Sequence, residues 1–429
     1  MKRSLFMLML VLTVTLGLAW SASAETIHVW TGFPELEPFY KWAGEEFSKT
    51  HPGVDFEVIS TSLREFEQKL TTALPTGTGP EVFDVGPYIA IKLIDGGVLP
   101  ANPQDLNEHL KSGAWSDFSV DYVTVDGNTY GIPMMNGSRA ALYYNKAMFR
   151  EAGLDPENPP KTFPELMDVA KKLTTYDANG NVLRSGLSLR ISGGGSGLTE
   201  KFRFFLSNAG GEVIVPSGDG KWKNGFDSEA GRKTLKAYID AIYTDKIDSP
   251  EVRHDAEAFV TGDTAMFLRE SWVIGEIQSK NPDLEYGVAP MPSWDRWETL
   301  AQPWSVYMSM DGAKSQNVRD YIKLLTSEST AEKLIELSGW MPDRSFDWEG
   351  LVAKTPQYEV FVNPPSEMGF FADPVLPAFD EIQTKVADKL VEAFLNKDLA
   401  TDDAALDKTV SEIGALIDSI LKRNRVYGN

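Results

Sequence analysis

The 429-residue sequence contains no cysteine. That absence excludes a disulfide framework, and it excludes the lipid-modified cysteine that tethers many exported bacterial proteins. Histidine is almost as scarce. His28, His51, His109 and His254 are scattered, with no HExxH and no pair at metal-ligand spacing, so no metal site is expected. There is no GxxxxGK followed by Ser or Thr and no GxSxG. The Gly193-Gly-Gly-Ser-Gly197 run lacks GxGxxG spacing, and the segment from Ile191 to Leu198 reads as a flexible loop rather than a phosphate cradle. No cofactor is expected. Positive charge is also in deficit, with 41 Lys and Arg against 62 Asp and Glu and a net charge of −21, and no basic patch is found. Nucleic acid and anionic membrane surfaces are therefore excluded as partners.

Long apolar runs are missing everywhere except at the start. MKRSLFMLMLVLTVTLGLAWSASAE places Lys2 and Arg3 before an apolar core from Leu5 to Trp20 and closes on Ala22-Ser23-Ala24. This is the three-part pattern of a secretory signal peptide over residues 1–24, with cleavage expected between Ala24 and Glu25. Cleavage removes two cations, so the mature charge becomes −23, and no later stretch approaches the ~17 apolar residues needed to span a bilayer. A soluble protein of two to three typical domains, free in an outer compartment such as a periplasm, is expected.

What is present alternates between strand and helix. TIHVW reads as a strand, and Leu36, Phe39, Tyr40, Ala43 and Phe47 recur at helical spacing up to His51-Pro52-Gly53. VDFEVIS is the next strand, Ser62-Leu-Arg-Glu65 a capping-box candidate, EVFDVG a third strand and YIAIKLIDGG a short helix. That order predicts a mainly parallel sheet with helices on both faces. Tyr122–Val125 and Tyr130–Met135 read as a hairpin about Asp126-Gly127. The break at Asn136, Gly137 and Ser138 then fits either a plain loop or a hinge. Further on, Thr162-Phe-Pro-Glu165 starts a helix, and helices are expected over Lys201–Asn208, Ser228–Tyr243 and Ala256–Gly262. YGVAPMP is a strand, the long loop after it holds Trp294, Trp297 and Trp304, and Phe379–Lys422 is amphipathic helix.

Aromatic placement is the positive chemical signal. Trp30 ends the first strand, and Trp272, Trp294, Trp297, Trp304 and Trp340 fall in or beside loops. Indoles beside strand ends suit the flat faces of sugars, with nearby carboxylates, amides and guanidinium groups for the hydroxyls. For each Trp singly, cleft and core both remain open.

D-G-N-T-Y-G-I-P, followed by L-Y-Y-N-K, M-F-R-E-A-G-L and P-P-K-T-F-P-E-L (Asp126–Leu166), resembles the extracellular solute-binding proteins of ATP-binding-cassette sugar importers. The resemblance is to the carbohydrate-binding family that includes maltose- and trehalose-binding proteins. G-P-E-V-F, A-F-V-T-G-D-T-A-M-F with Trp272, Y-G-V-A-P-M-P and G-W-M-P-D-R (Gly339–Arg344) follow in the family's order. The resemblance implies a two-lobe α/β fold, each lobe a mainly parallel sheet flanked by helices, joined by hinge crossovers. It implies lobe 1 over 25–136 plus about 293–341 and lobe 2 over 137–292 plus about 342–429, with Asn136 to Ser138 in a crossover. It implies ligand contacts at Trp30, Glu35, Arg64, Gly86 to Tyr88, Asn136, Ser138, Trp272, Trp304 and Trp340. Two departures stand out: Gly86 replaces a frequent acidic residue, and Gln302-Pro303 a Gly-Gly pair. The expected function is capture of a sugar, a neutral di- or oligosaccharide, by a monomer that performs no catalysis and delivers it to inner-membrane permease subunits. An anionic solute such as a sugar phosphate, held near Arg64, Arg139, Arg190 and Arg269, and an exported carbohydrate-active enzyme are the rival readings.

Overall fold

The computed structural model describes residues 25–136, 139–192 and 195–428. The expected signal peptide, Gly137, Ser138, Gly193, Gly194 and Asn429 lie outside them.

The first strand, β1 (Glu25–Thr31), buries Ile27, Val29 and Thr31 at period two. It is followed by α1 (Glu37–Thr50), whose Phe39, Tyr40, Ala43 and Phe47 form one buried face. Next come β2 (Val54–Ser60), α2 (Leu63–Thr76), β3 (Val82–Val85) and α3 (Pro87–Asp95). Two later strands complete this sheet, β4 (Ile132–Met135) and, far along the chain, β8 (Trp304–Met308). The order is β2-β1-β3-β8-β4. β1 pairs parallel with β2 and β3, while β8 runs antiparallel to both β3 and β4.

The second sheet is β5 (Ala141–Asn145) between β6 (Met266–Arg269) and β7 (Tyr286–Pro290). Both pairings are antiparallel, which corrects the expectation of a mainly parallel sheet in this lobe. A parallel edge is supplied outside the strands proper, where Ser185 and Ser188 bridge to Thr264 and Phe267. Around this sheet lie α4 (Phe163–Leu173), α5 (Ser196–Asn208), α6 (Glu229–Tyr243), α7 (Asp255–Thr261) and α8 (Val273–Lys280). The chain then returns to the first sheet with α9 (Gln316–Leu325) and α10 (Glu328–Ser338) against α1. It ends on α11 (Phe379–Phe394), packed on α5, and α12 (Asp403–Arg423). The architecture is thus α/β in two lobes, with β4 to β5 and β7 to β8 as direct crossings.

Several local expectations are corrected. Asp126 and Gly127, at φ 49° and 77°, pair only Thr124–Val125 with Asn128–Thr129. Tyr130–Met135 does not extend that hairpin, because Ile132–Met135 is wholly buried and bonds to β8 instead. The Thr162 capping box forms. The Ser62 box does not: Ser62 has N-cap backbone geometry, but its hydroxyl accepts nothing from α2. Trp304 begins a strand rather than lying in a loop, α5 starts at Ser196 rather than Lys201, and the C-terminal helix is broken between Phe394 and Asp403.

Asp84 on β3 is fully buried beneath the sheet's end. Tyr40 donates its hydroxyl to Oδ2 at 2.8 Å, and Oδ1 has no partner among the described residues. Burial pushes this carboxyl up to about 7, against the hydrogen bonds from Thr31 and Tyr40. The folded state therefore keeps the proton to higher pH than the unfolded chain, whose Asp titrates near about 4. Stability from this group is present at low pH and is lost as pH rises from about 4 through about 7. Asp84→Asn removes the titration. Denaturation midpoints between pH 4.5 and 8 are expected to fall more steeply for the parent than for Asp84→Asn, by on the order of 1–4 kcal/mol across the window. Parallel curves would assign the pH response to other groups.

Candidate functional site

A cavity of about 360 Å³ lies between the two sheets, lined from both. Phe33, Glu35, Ser62, Leu63, Arg64, Tyr88, Trp304 and Trp340 reach it from one side, and Arg190, Gly197, Glu200, Lys201, Arg269, Glu270 and Trp272 from the other.

One wall is aromatic, and Trp272 joins it from the other side. Phe33 meets Trp304 edge-on at 4.8 Å and Trp340 at 5.3 Å, Tyr88 meets Trp304 at 5.9 Å, and Trp272 lies 6.3 Å from Trp340. Two of these rings come from strand and helix ends. Trp304 opens β8 and Trp272 sits one residue before α8, so rigid elements hold the indoles at the rim. Glu35 is set among them, its Oε1 accepting from the Trp340 indole at 3.1 Å. Burial raises its pKa, against that bond and the charge of Arg269. The built Cβ of Gly86 would stand 2.7 Å from the Tyr88 ring and 3.0 Å from Trp304. An acidic side chain does not fit there while both rings keep their places.

The opposite wall is ionic, and its charges are paired. Lys201, 7% exposed, donates to Glu200 at 2.6 Å and to Glu270. Arg269 meets Asp255 at 2.6 Å and Glu270 at 2.9 Å while lying 4.9 Å from the Trp272 ring. Arg190, held at φ 51°, bonds Asp255 at 2.8 Å. Burial opposes the charge of Asp255, but Arg269, Arg190 and Lys201 outweigh it and hold the carboxyl below its usual range. Glu200 is lowered in the same way by Lys201. Arg64 crosses the cleft, donating to Glu67 on its own helix and to Ser196 at the start of α5. Glu67, which also accepts from the Tyr88 hydroxyl at 2.8 Å, is pushed up to about 7 by burial, with Arg64 and Tyr88 opposing.

Of the residues expected at a site, Glu35, Arg64, Tyr88, Trp272, Trp304 and Trp340 line the cavity. Trp30 does not: it lies on β1 with the Lys69 ammonium 4.3 Å over its ring. Asn136 does not either, since it follows β4 at the crossing and donates its N–H to Met341 O at 2.9 Å. Ser138 lies outside the described residues. Arg139 turns away to the Phe361 carbonyl and the Phe370 ring. Trp294 stacks on Phe163 at 3.9 Å, and Trp297 donates to Met291 O at 2.6 Å, so both serve the second lobe's packing. Glu200, Lys201 and Glu270 were not anticipated. Their signal is charge inside apolar runs, Thr-Glu-Lys-Phe in α5 and Phe-Leu-Arg-Glu-Ser-Trp at the end of β6.

Ser192, His254 and Asp248 form a chain, with Ser192 Oγ 3.0 Å from His254 Nδ1 and His254 Nε2 3.5 Å from Asp248. None of the three lines the cavity, and Asp248 is occupied by the Ser185 hydroxyl at 2.5 Å and the Leu189 N–H at 2.9 Å. The cluster fixes a loop. Among the described residues no group of His, Asp or Glu is arranged to hold a metal ion.

A family model described as bacterial extracellular solute-binding protein matches residues 31–332. The lactose-binding protein of Rhizobium radiobacter is 24% identical over 277 residues, 61% of this chain and 60% of that one. The sn-glycerol-3-phosphate-binding periplasmic protein UgpB of Rhizobium meliloti (strain 1021) is 25% identical over 374 residues, 77% of this chain and 78% of its own. Among solved structures, a solute-binding protein of an ABC transporter from Thermotoga lettingae TMO, bound with alpha-D-tagatose, is similar with a TM-score of 0.76. It is 25% identical, and the match covers 92% of this chain and 100% of that one.

Removing the Lys201 ammonium leaves Glu200 and Glu270 facing each other without their shared cation. Lys201→Met is expected to lower the free energy of unfolding by about 3–5 kcal/mol. Lys201→Met combined with Glu270→Gln should recover part of that loss, read by urea denaturation at pH 7. No loss in the single variant would show that the two carboxylates are solvated.

Proposed function

The chain belongs to the bacterial extracellular solute-binding proteins, and from that premise we propose that it captures a short neutral saccharide between its lobes and passes it to the permease subunits of an ATP-binding-cassette importer. The observation that carries this reading is a cavity with an aromatic wall in which every lining cation already has a carboxylate partner from the chain. An anionic ligand would have to break those pairs, whereas hydroxyls can use the donor and acceptor valences left over, with ring faces on the indoles. A cavity of about 360 Å³ lies toward the lower end of the about 300–1,000 Å³ usual for small-molecule sites, which favours a mono- or disaccharide over a longer oligosaccharide.

The division into 25–136 with about 293–341 and 137–292 with about 342–429 is supported by sheet membership, β1–β4 and β8 in one lobe and β5–β7 in the other. Lobe closure is the mechanism: a solute that touches both lobes binds the closed state better than the open one and shifts the equilibrium toward it. We further propose export through residues 1–24 to a periplasm, with no lipid anchor because there is no cysteine, and action as a monomer without cofactor or catalysis. No helix among the described residues is long and apolar enough to cross a membrane. The second reading is a sugar phosphate, favoured by the UgpB relative and by four cations at one cavity.

A calorimetric panel of neutral mono- and disaccharides against sugar phosphates, at low and high salt, separates the two. A neutral sugar should bind tightest, be recovered unchanged after long incubation, and lose little affinity as salt rises. Trp272→Ala should weaken it by about 1–3 kcal/mol, the scale of a large buried side chain. Tightest binding by a phosphate, weakening with salt, would replace the neutral-sugar reading.

A further inference from the structure

Beside the cavity, outside its lining, the two lobes touch backbone to backbone. Gly275 lies in the first turn of α8, whose Val273, Ile274 and Ile277 sit in an apolar cluster with the second sheet that also takes in Ile335 of α10 and Met341 beside the glycine contact. Gly339 is the left-handed C-cap of α10, at φ 75°, and α10 packs on α1 of the first lobe. A Cβ built on Gly275 would stand 2.9 Å from both the Cα and the N of Gly339, and 3.3 Å from Ser338 C. These are main-chain atoms that cannot swing aside as a side chain would. Most packed helices stand 8–10 Å apart because side chains lie between them; here neither partner has one.

The position of this contact gives it leverage. Trp272 immediately precedes α8 and Trp340 immediately follows Gly339, so the glycine pair fixes how near the two indoles come, now 6.3 Å between centroids. Two residues beyond Trp340, Pro342 bridges to Met135 at the end of β4, where the chain crosses between lobes. A spacer set so near the crossing is magnified at the far lip, where Arg64 reaches Ser196.

We infer that Gly275 and Gly339 form the bearing on which the lobes close, so that Gly275, which does not line the cavity, sets binding affinity through the closed state. This rests on the solute-binding reading above. Gly275→Ala is the informative change, because Gly275 is helical and alanine is the better helix former, so the lobe itself loses nothing. Gly339→Ala is not, since its positive φ strains any side chain.

The test uses the absence of native cysteine. Spin labels on Gln68→Cys (α2) and Glu257→Cys (α7), both exposed and outside the cavity, report the distance between lobes by pulsed electron resonance in the full mature chain. The parent is expected to show a short-distance population, alone or with lactose or D-tagatose as probe. Gly275→Ala should lose it, keep the parent's melting temperature without sugar, and bind whichever probe the parent binds at least tenfold more weakly. An unchanged distance distribution overturns the inference, as does a parent with no short-distance population. A lower melting temperature in the sugar-free variant, or failure to fold, overturns it too, because the contact would then be fixed packing. If neither probe binds the parent, the sugar assignment is in question, while the label distances still decide whether the bearing exists.

Discussion

The Lys201 ammonium sits almost out of water between Glu200 and Glu270, and Glu270 in turn accepts from Arg269, which is tied to Asp255, which holds Arg190. A charged wall inside a cleft is costly wherever a member stands alone, because desolvation exceeds what a single weak contact returns. The web meets that constraint by alternating sign along its length. It draws α5, β6, α7 and the loop before α5 into one face, opposite Phe33, Trp304 and Trp340 of the other lobe. Net neutral pairing also leaves many oriented donors and acceptors of both signs, which is the lining a polyhydroxylated molecule can use from several directions.

Glu35 and Glu67 show the other side of the same constraint. Each lies near a guanidinium, yet burial still raises both. Their partners are shared or distant, so desolvation wins over Coulomb attraction. Both therefore hold their charge less firmly than Asp255 and Glu200, whose cationic neighbours outweigh burial.

Much of this fold was legible in the sequence because its signals are local. Period-two burial in β1, the three-and-four spacing of α1 and the Thr162–Glu165 box each follow from a few adjacent residues. The antiparallel second sheet was not legible, since strand direction depends on which distant segment lies beside β5 and no short stretch encodes that. Register misled at Tyr130–Met135 for the same reason: the turn at Asp126-Gly127 is genuine, but β8, some 170 residues later, outbids it for Ile132–Met135. At the cavity, Trp272, Trp304 and Trp340 stood out as indoles by element ends, whereas Trp294 and Trp297, alike in sequence context, pack inward. Trp30 differs only in which face of β1 carries it, and Lys201 and Glu270 were hidden because isolated charges in apolar runs read as surface until burial is known.

The position of β8 has a consequence for how the molecule comes into being. It lies between β3 and β4, so Ile132–Met135 has no strand neighbour on that side until residues 304–308 exist. The first sheet is thus closed by a segment that follows the whole second sheet in the chain. Pairings so remote in sequence close large loops and form late. A chain that has not yet released residues 304–308 cannot complete its first sheet, and a polypeptide left unfinished until its last third begins to emerge stays open to being threaded, still extended, through a narrow membrane pore.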